Sequence, residues 1–276
     1  KGKTKGELKK LLSLSDNLAT VANDFWTDFT LDATELSNAD NFRPAIYTFS
    51  GPAFQGLAPS TCDTKSLSYL ASHLFVLDPV YGVLRSLQGM QPYRLEMGCR
   101  LFANKNEKKK ACLADYWKEE VTIYLGLELL KNSTTSEGEE RILVNLASEE
   151  YSSSIHVPSL PPNTLYLNVV FRHKGRSLAV HAKRARGMMA RYLAKREATT
   201  VQDVSEFDWE GYGCVDVDGE SWQHQDTVGD NVEIVRMIFD REDAPPKAGE
   251  KKGKTVSKRS AAGSKKQGSV SKKTKK

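Results

Sequence analysis

Residues 164–197 read TLYLNVVFRHKGRSLAVHAKRARGMMARYLAKRE, and the change of period inside this stretch decides the fold. Thr164 to Arg172 is dense in β-branched and aromatic residues and predicts a strand. Lys174-Gly175 predicts a hairpin-like break, Ser177 to Ala182 a second strand, and Lys183 to Glu197 a helix. Upstream, the spacing of Leu8, Leu11, Leu12, Leu18, Val21 and Ala22 predicts one helix over 7–25. Asp63-Thr64 reads as an N-cap for a helix carrying Leu67, Tyr69, Leu70 and His73. Leu113 to Leu130 predicts a third long helix, with a charged loop over Asn104 to Lys110 before it. Arg141 to Ala147, Tyr212 to Asp218 and Val232 to Phe239 predict further strands. Strands and helices are mixed with no regular βαβ rhythm. The expected fold class is therefore α+β, a single mixed-sheet domain over 1–244.

The chain has 276 residues, 39% hydrophobic and 27% charged, which excludes a mainly disordered or fibrous protein. The longest apolar stretch, Val121 to Leu130, contains Glu128 and is far short of the ~20 residues of a membrane span. The first Met is Met90, so the chain is expected to start downstream of its native start or of a removed leader. The net charge of +5 divides unevenly. Residues 247–276 hold 12 basic residues and one acid, which leaves residues 1–246 at −6. Residues 245–276 lack any aromatic and cannot bury enough apolar surface to offset their ordering entropy, so a disordered, Lys-rich basic tail is expected.

Cys62, Cys99, Cys112 and Cys214 are scattered, and His73, His156, His173, His181 and His224 have no paired spacing. Reduced thiols in an intracellular protein, with no metal and no cofactor, are the expectation. The sequon at Asn132 has no weight without secretion. There is no nucleophile elbow, no phosphate-binding loop and no dinucleotide fingerprint.

Three segments carry chemistry. Arg172 to Arg196 holds nine cations (Arg172, Lys174, Arg176, Lys183, Arg184, Arg186, Arg191, Lys195 and Arg196) and no acid. At ~100° per residue, Arg184, Arg191 and Lys195 share one helical face, opposite an apolar face of Ala185, Met189, Tyr192 and Leu193. Such a face suits phosphate or carboxylate contacts, and equally a solvated helix paired with surface acids. In Gln91-Pro92-Tyr93-Arg94-Leu95-Glu96-Met97-Gly98, Arg94 and Glu96 read as a structural ion pair or as an anion clamp with a general base, and spacing alone favours the pair. In the third segment, Asn145 to Tyr151, Ser148 reads as the cap of a short helix.

The strings YGVLRSLQGMQPYRLEMG (81–98), VNLASEEY (144–151) and AKRARGMMARYL (182–193) together closely resemble the YaaA family of peroxide-stress proteins. Weaker likeness runs through ELKKLLSLSDNLA (7–19), FQGL (54–57), DYWKEEV (115–121) and EGY (210–212), so it spans roughly residues 7–240 in order. The resemblance implies an intracellular protein that limits hydrogen-peroxide damage and is associated with lower unincorporated iron. It also implies an α+β fold with a positively charged cleft, a helix-hairpin-helix element and DNA binding. The chain departs from the family pattern in three places. It begins after the strand and the Ser-Pro-Ala-Lys-Thr segment with which members open. Ser153 replaces a common Lys, and Leu77-Asp78-Pro79-Val80 replaces the usual Ser-Gly-Leu. The basic tail lies outside the pattern.

The leading expectation is a monomeric stress protein that binds duplex or branched DNA with little sequence specificity and has no membrane association. Its phosphate contacts would come from Arg94, Arg172, Lys174, Lys183, Arg184, Arg186, Arg191 and Lys195. Its expected place is the cytoplasm, or the nucleus through the tail. The alternative is an enzyme acting on a phosphorylated or nucleotide-like small molecule, with Tyr93, Arg94, Glu96, Asn145, Ser148 and Lys183 meeting in one pocket. A third reading is a scaffold whose tail alone binds.

Overall fold

The computed structural model describes residues 2–32, 42–101, 111–131, 140–215, 223–228 (backbone only) and 232–242. The expected disordered tail, the charged 104–110 loop, the Asn132 sequon and the end of the 212–218 strand lie outside the described residues, as does the His224 side chain.

The expected 7–25 helix is two helices, α1 (Lys5–Leu11) and α2 (Asp16–Asp28). Apolar periodicity continues across the break, but local hydrogen bonding overrides it. Ser13 turns left-handed at φ 50° and the Ser15 side chain caps α2 by accepting from the Leu18 N–H. Two short elements follow, β1 (Arg43–Pro44) and α3 (Ala45–Thr48), and then α4 (Pro52–Leu57), which opens on Pro. Asp63 caps α5 (Thr64–His73) as its sequence predicts, with 2.7 Å from the Ser66 N–H to its carboxylate. β2 (Phe75–Asp78) and β3 (Gly82–Arg85) make an antiparallel hairpin, and β4 (Gly89–Met90) pairs with β1. The long helix α6 covers Leu113–Lys131.

The main sheet is mixed. β5 (Arg141–Asn145), β6 (Thr164–Phe171) and β9 (Val232–Asp240) are parallel; β7 (Gly213–Cys214) and β8 (Gln223–Val228) pair antiparallel to β9. α7 (Glu149–Ser152) follows β5. Alternate residues Leu165, Leu167, Val169 and Phe171 of β6 put one face into the principal core with Met237 and Phe239 of β9. Met189, Tyr192 and Leu193 close that core from α8 (Ala179–Arg196). The second, short helix α9 (Val201–Ser205) adds Val204.

The expected strand over 177–182 is corrected here. Lys174 (φ 51°) and Gly175 (φ 72°) do turn the chain, with a single bridge between His173 and Arg176, but the chain then enters α8 at Ala179. Val180 is 67% exposed and has no strand to pack against. Alanines at 179, 182 and 185 favour the helix instead.

Candidate functional site

α8 and α4 touch backbone to backbone. A Cβ at Gly187 would lie 1.7 Å from the Ala53 carbonyl oxygen, and one at Gly56 would lie 2.1 Å from the Arg184 carbonyl oxygen. Only paired glycines permit this crossing. It fixes α8 beside a cavity of about 710 Å³ whose lining includes β5 with its flanking residues, from Glu140 to Ser148, and reaches α5, α6 and α8. Phe49 stacks on Phe54 (centroids 4.8 Å apart) and Tyr69 on His73 (4.1 Å), and all four rings line it. Burial pushes the Tyr69 hydroxyl up to about 12.

The cations of 172–196 are sorted by tertiary contacts that no local reading could reveal. Arg184 pairs with Glu210, and Arg196 with Glu206 at 2.6 Å and Asp203 at 4.0 Å. Arg191 does not share a free face with Arg184 and Lys195, as helical spacing had suggested. Its guanidinium donates to the carbonyls of Ala58 (3.2 Å) and Thr61 (3.1 Å), capping the end of α4, where the helix dipole favours a cation. Lys174 sits in the turn with its N–H on the Arg241 carbonyl. Lys183 and Arg186 line the cavity. Arg186 is largely withdrawn from solvent, its Nε is buried with no hydrogen-bond partner, and burial pulls its guanidinium below its usual range. The Ser66 N–H and, behind it, Lys195 hold the Asp63 carboxyl below its usual range, and Arg172, Arg176, Lys183 and Arg186 have no carboxylate partner among the described residues.

The 91–98 segment is held from several sides. Tyr93 donates to the fully buried Asp78, whose other oxygen accepts the N–H groups of Val80 and Tyr81, both at 2.8 Å. Burial raises the Asp78 carboxyl, against the pull of these three donors, and it also carries the Tyr93 hydroxyl far above its ordinary range. Gln91 exchanges hydrogen bonds with the Thr30 backbone (2.8 and 2.9 Å), and Trp26 donates to the Arg94 carbonyl at 3.2 Å. Arg94 and Glu96 lie 3.7 Å apart with both side chains partly exposed. Glu150 accepts the Gly98 N–H at 2.9 Å, which docks this segment on α7.

Asn145 uses its amide locally, donating to Asn168 (3.0 Å) and accepting from the Ala147 N–H (2.9 Å). Ser148 stands at the N-cap of α7 but makes no side-chain cap bond, so its hydroxyl is left to the cavity it lines. Of the six residues expected in one pocket, Asn145, Ser148 and Lys183 line the cavity, with Tyr151 beside them. Tyr93, Arg94 and Glu96 do not. They reach it only indirectly, through Glu150 and Tyr151. Sequence reading passed over Asp78, though the Leu77-Asp78-Pro79-Val80 departure marked the place. It also passed over the exceptional position of Arg186 among nine similar cations. Among the described residues no group of three or more His, Cys, Asp or Glu could hold a metal ion, and no helix is long and apolar enough to cross a membrane.

Residues 1–216 match the family described as Peroxide stress protein YaaA. The UPF0246 protein of Psychrobacter sp. (strain PRwf-1) is 35% identical over 226 residues, 80% of this chain and 82% of that protein. The one from Ruegeria pomeroyi is 37% identical over 216 residues, 76% of this chain and 77% of its own. One from Francisella tularensis subsp. novicida is 35% identical over 208 residues, covering 75% and 76%.

The chain belongs to the YaaA family.

That assigns it to the peroxide-stress proteins, and the structure explains what several of its YaaA-like strings do. FQGL and AKRARGMMARYL are the two sides of the Gly56–Gly187 crossing. QPYRLEMG is the segment anchored by Asp78, Thr30 and Glu150. EGY supplies Glu210 to Arg184 and Arg241, and the Tyr212 ring beneath the Arg241 guanidinium, 4.7 Å away.

Proposed function

We propose that this protein acts in peroxide stress by holding the phosphate backbone of DNA on the cations of 172–196 that no carboxylate neutralises. The observation that carries the reading is the sorting itself. Arg184 and Arg196 are compensated, Arg191 caps α4, Lys195 acts on the Asp63 carboxylate and Arg186 is withdrawn from solvent, while Arg172, Arg176 and Lys183 have no carboxylate partner among the described residues. Cations without base-reading geometry bind phosphates with little sequence preference and release counterions. Ferrous ions condensed on the backbone would be among those released, which ties DNA binding to less iron-dependent damage. The Lys-rich tail adds a polyanion tether.

Fluorescence anisotropy of the full chain on duplex DNA over a salt series tests this. Arg172→Glu/Arg176→Glu/Lys183→Glu should lower affinity and reduce the slope of log affinity against log salt by about two to three. Deleting 247–276 should lower affinity and flatten the slope further, with the melting temperature unchanged. An unchanged slope in the triple variant would refute the assignment of this surface.

A further inference from the structure

We propose that this protein pairs with a second copy of itself through the outer side of α6, the two helices running antiparallel. This goes beyond the DNA reading and uses none of its cations. Three observations carry it.

The first is a continuous apolar stripe. Tyr116, Ile123, Leu127 and Leu130 of α6 are each between 48% and 55% exposed. Steps of seven, four and three residues place them within roughly 60° of one another around the helix, at ~100° per residue. The same spacing makes the seam of a helix pair. Single exposed apolar residues are ordinary on a protein surface, whereas four in line along one helix mark a surface that is covered in use. Ala114, Val121 and Leu125 on the opposite side are buried, so α6 is apolar on both sides. The stripe is visible only once the structure shows which side of α6 faces inward, and a monomer is the expectation without it.

The second is that the other sides of α6 are already engaged. Trp117 donates to the Pro79 carbonyl at 3.0 Å, and Thr122 accepts the His156 N–H at 2.8 Å. Leu125, Glu128 and Leu129 line the cavity. These residues lie across the helix from the stripe, so whatever occupies the cavity leaves the stripe as it is. Among the described residues, the stripe is the side of α6 that folding leaves to solvent.

The third is charge, which selects both the occupant and its orientation. Exposed residues bordering the stripe are Glu119 and Glu120 in its first half and Lys131 at its end. Lys131 bonds Glu128 at 2.9 Å and is still largely exposed. A parallel pair would set Glu119 and Glu120 beside their own copies. An antiparallel two-fold axis midway between Ile123 and Leu127 instead sets Ile123 of one copy level with Leu127 of the other, and Glu119 level with Lys131. It also opposes the two helix dipoles. One surface thus supplies its own apolar and its own charged complement. A partner of different sequence would have to bring both.

Sedimentation equilibrium of the nuclease-treated full chain, from about 2 to 200 µM, tests the proposal. The mass should rise with concentration from one copy toward two, with half-association in the micromolar range, because the seam is smaller than a standard interface. Ile123→Glu/Leu127→Glu should weaken association at least about tenfold, since it sets carboxylates against each other across the axis. Its melting temperature at the lowest concentration should stay within about 3 °C of the parent, because both positions face solvent in a single copy. Glu119→Lys should weaken association, and Glu119→Lys/Lys131→Glu should restore it to within about threefold, as only an antiparallel pair allows. A parent that remains one copy at the highest concentration, or unchanged association of the folded Ile123→Glu/Leu127→Glu variant, would overturn the proposal. So would association seen only before nuclease treatment, which would mean that nucleic acid joins the copies. A monomeric parent together with a much lower melting temperature of that variant would show that another segment of the same chain covers the stripe. A swap no better than Glu119→Lys alone would overturn the antiparallel arrangement. The outcome is separate from that of the DNA reading: Arg172→Glu/Arg176→Glu/Lys183→Glu is expected to pair as the parent does.

Discussion

Asp78 and Arg186 are both ionisable side chains drawn away from water, and their surroundings treat them in opposite ways. Asp78 is surrounded by donors: the Tyr93 hydroxyl and two backbone N–H groups converge on one fully buried carboxyl. Arg186 has no hydrogen-bond or ion-pair partner among the described residues, and its Nε is buried. Folding has used the first to fix the hairpin of β2 and β3 against the 91–98 segment, so its chemistry is spent. The second is left over by folding. The difference teaches where to look for function in a chain with many polar residues: not at the densest motif, but at the polar group whose partners are missing. QPYRLEMG is the longest specific string in the sequence, and the structure absorbs most of its polar groups into its own anchoring, the buried and unpartnered Nε of Arg94 being the exception.

The largest effect should come from breaking the saturated side of this comparison. Asp78→Ala orphans one buried hydroxyl and two N–H groups, and each unsatisfied buried donor costs about 1–3 kcal/mol. A loss of about 4 kcal/mol in urea unfolding is expected. A loss below about 1 kcal/mol would mean that the three donors find other partners, and that Asp78 does not anchor the segment.

Acidity gives a second test of the same site. Burial is the leading influence on Asp78 and raises its carboxyl above the unfolded value of about 3.9. The folded state then binds the proton more tightly than the unfolded state. The contribution of this site is therefore full below about pH 4 and declines as pH rises through the raised folded value. Asp78→Asn has no such titration. The stability of the parent minus that of Asp78→Asn should fall as pH rises above about 4 in paired urea melts. A difference that rises with pH would show that the Tyr93 and amide donors outweigh burial.

Arg191 comes next in size. It resembles Arg184 and Lys195 on a helical wheel, but its contacts are carbonyls at the end of α4. Arg191→Met should cost about 2 kcal/mol in stability, with DNA affinity and salt slope unchanged. A lower salt slope with unchanged stability would return Arg191 to the binding surface.

The fold was legible wherever sequence signals agreed with each other. Asp63 caps α5 as read, and strands β6 and β9 fall within a residue of expectation at each end because apolar, β-branched runs there have no competing local signal. Residues 7–25 misled because apolar spacing continues through a break set by Ser13 and Ser15. Residues 177–182 misled because Ser-Leu-Ala-Val after a Lys-Gly turn looks like a returning strand, whereas an exposed Val180 shows that no sheet receives it. At the site, residue type was readable and pairing was not. The 172–196 stretch is free of acids in sequence, but Glu210, Glu206 and Asp203 return to it from the following elements. Which cation is left without a partner is a property of tertiary contact, which no single helical wheel contains.

The smallest expected change sharpens the comparison most. Arg186→Met removes a guanidinium that has no ion pair or hydrogen bond among the described residues, and it keeps a flexible apolar stem of similar reach. Had the charge been holding the fold together, its removal would cost several kcal/mol, as losing one partner of a buried pair does. No partner exists here to be orphaned, and the desolvation that burial imposes on the cation disappears with it. Thermal and urea unfolding of Arg186→Met should therefore match the parent within about 1 kcal/mol, with any difference toward greater stability. Set against about 4 kcal/mol for Asp78→Ala, that near-absence of cost is the signature of a charge the fold does not use. A loss of about 3 kcal/mol in Arg186→Met would show that the guanidinium is structural, and the contrast between the two sites would collapse.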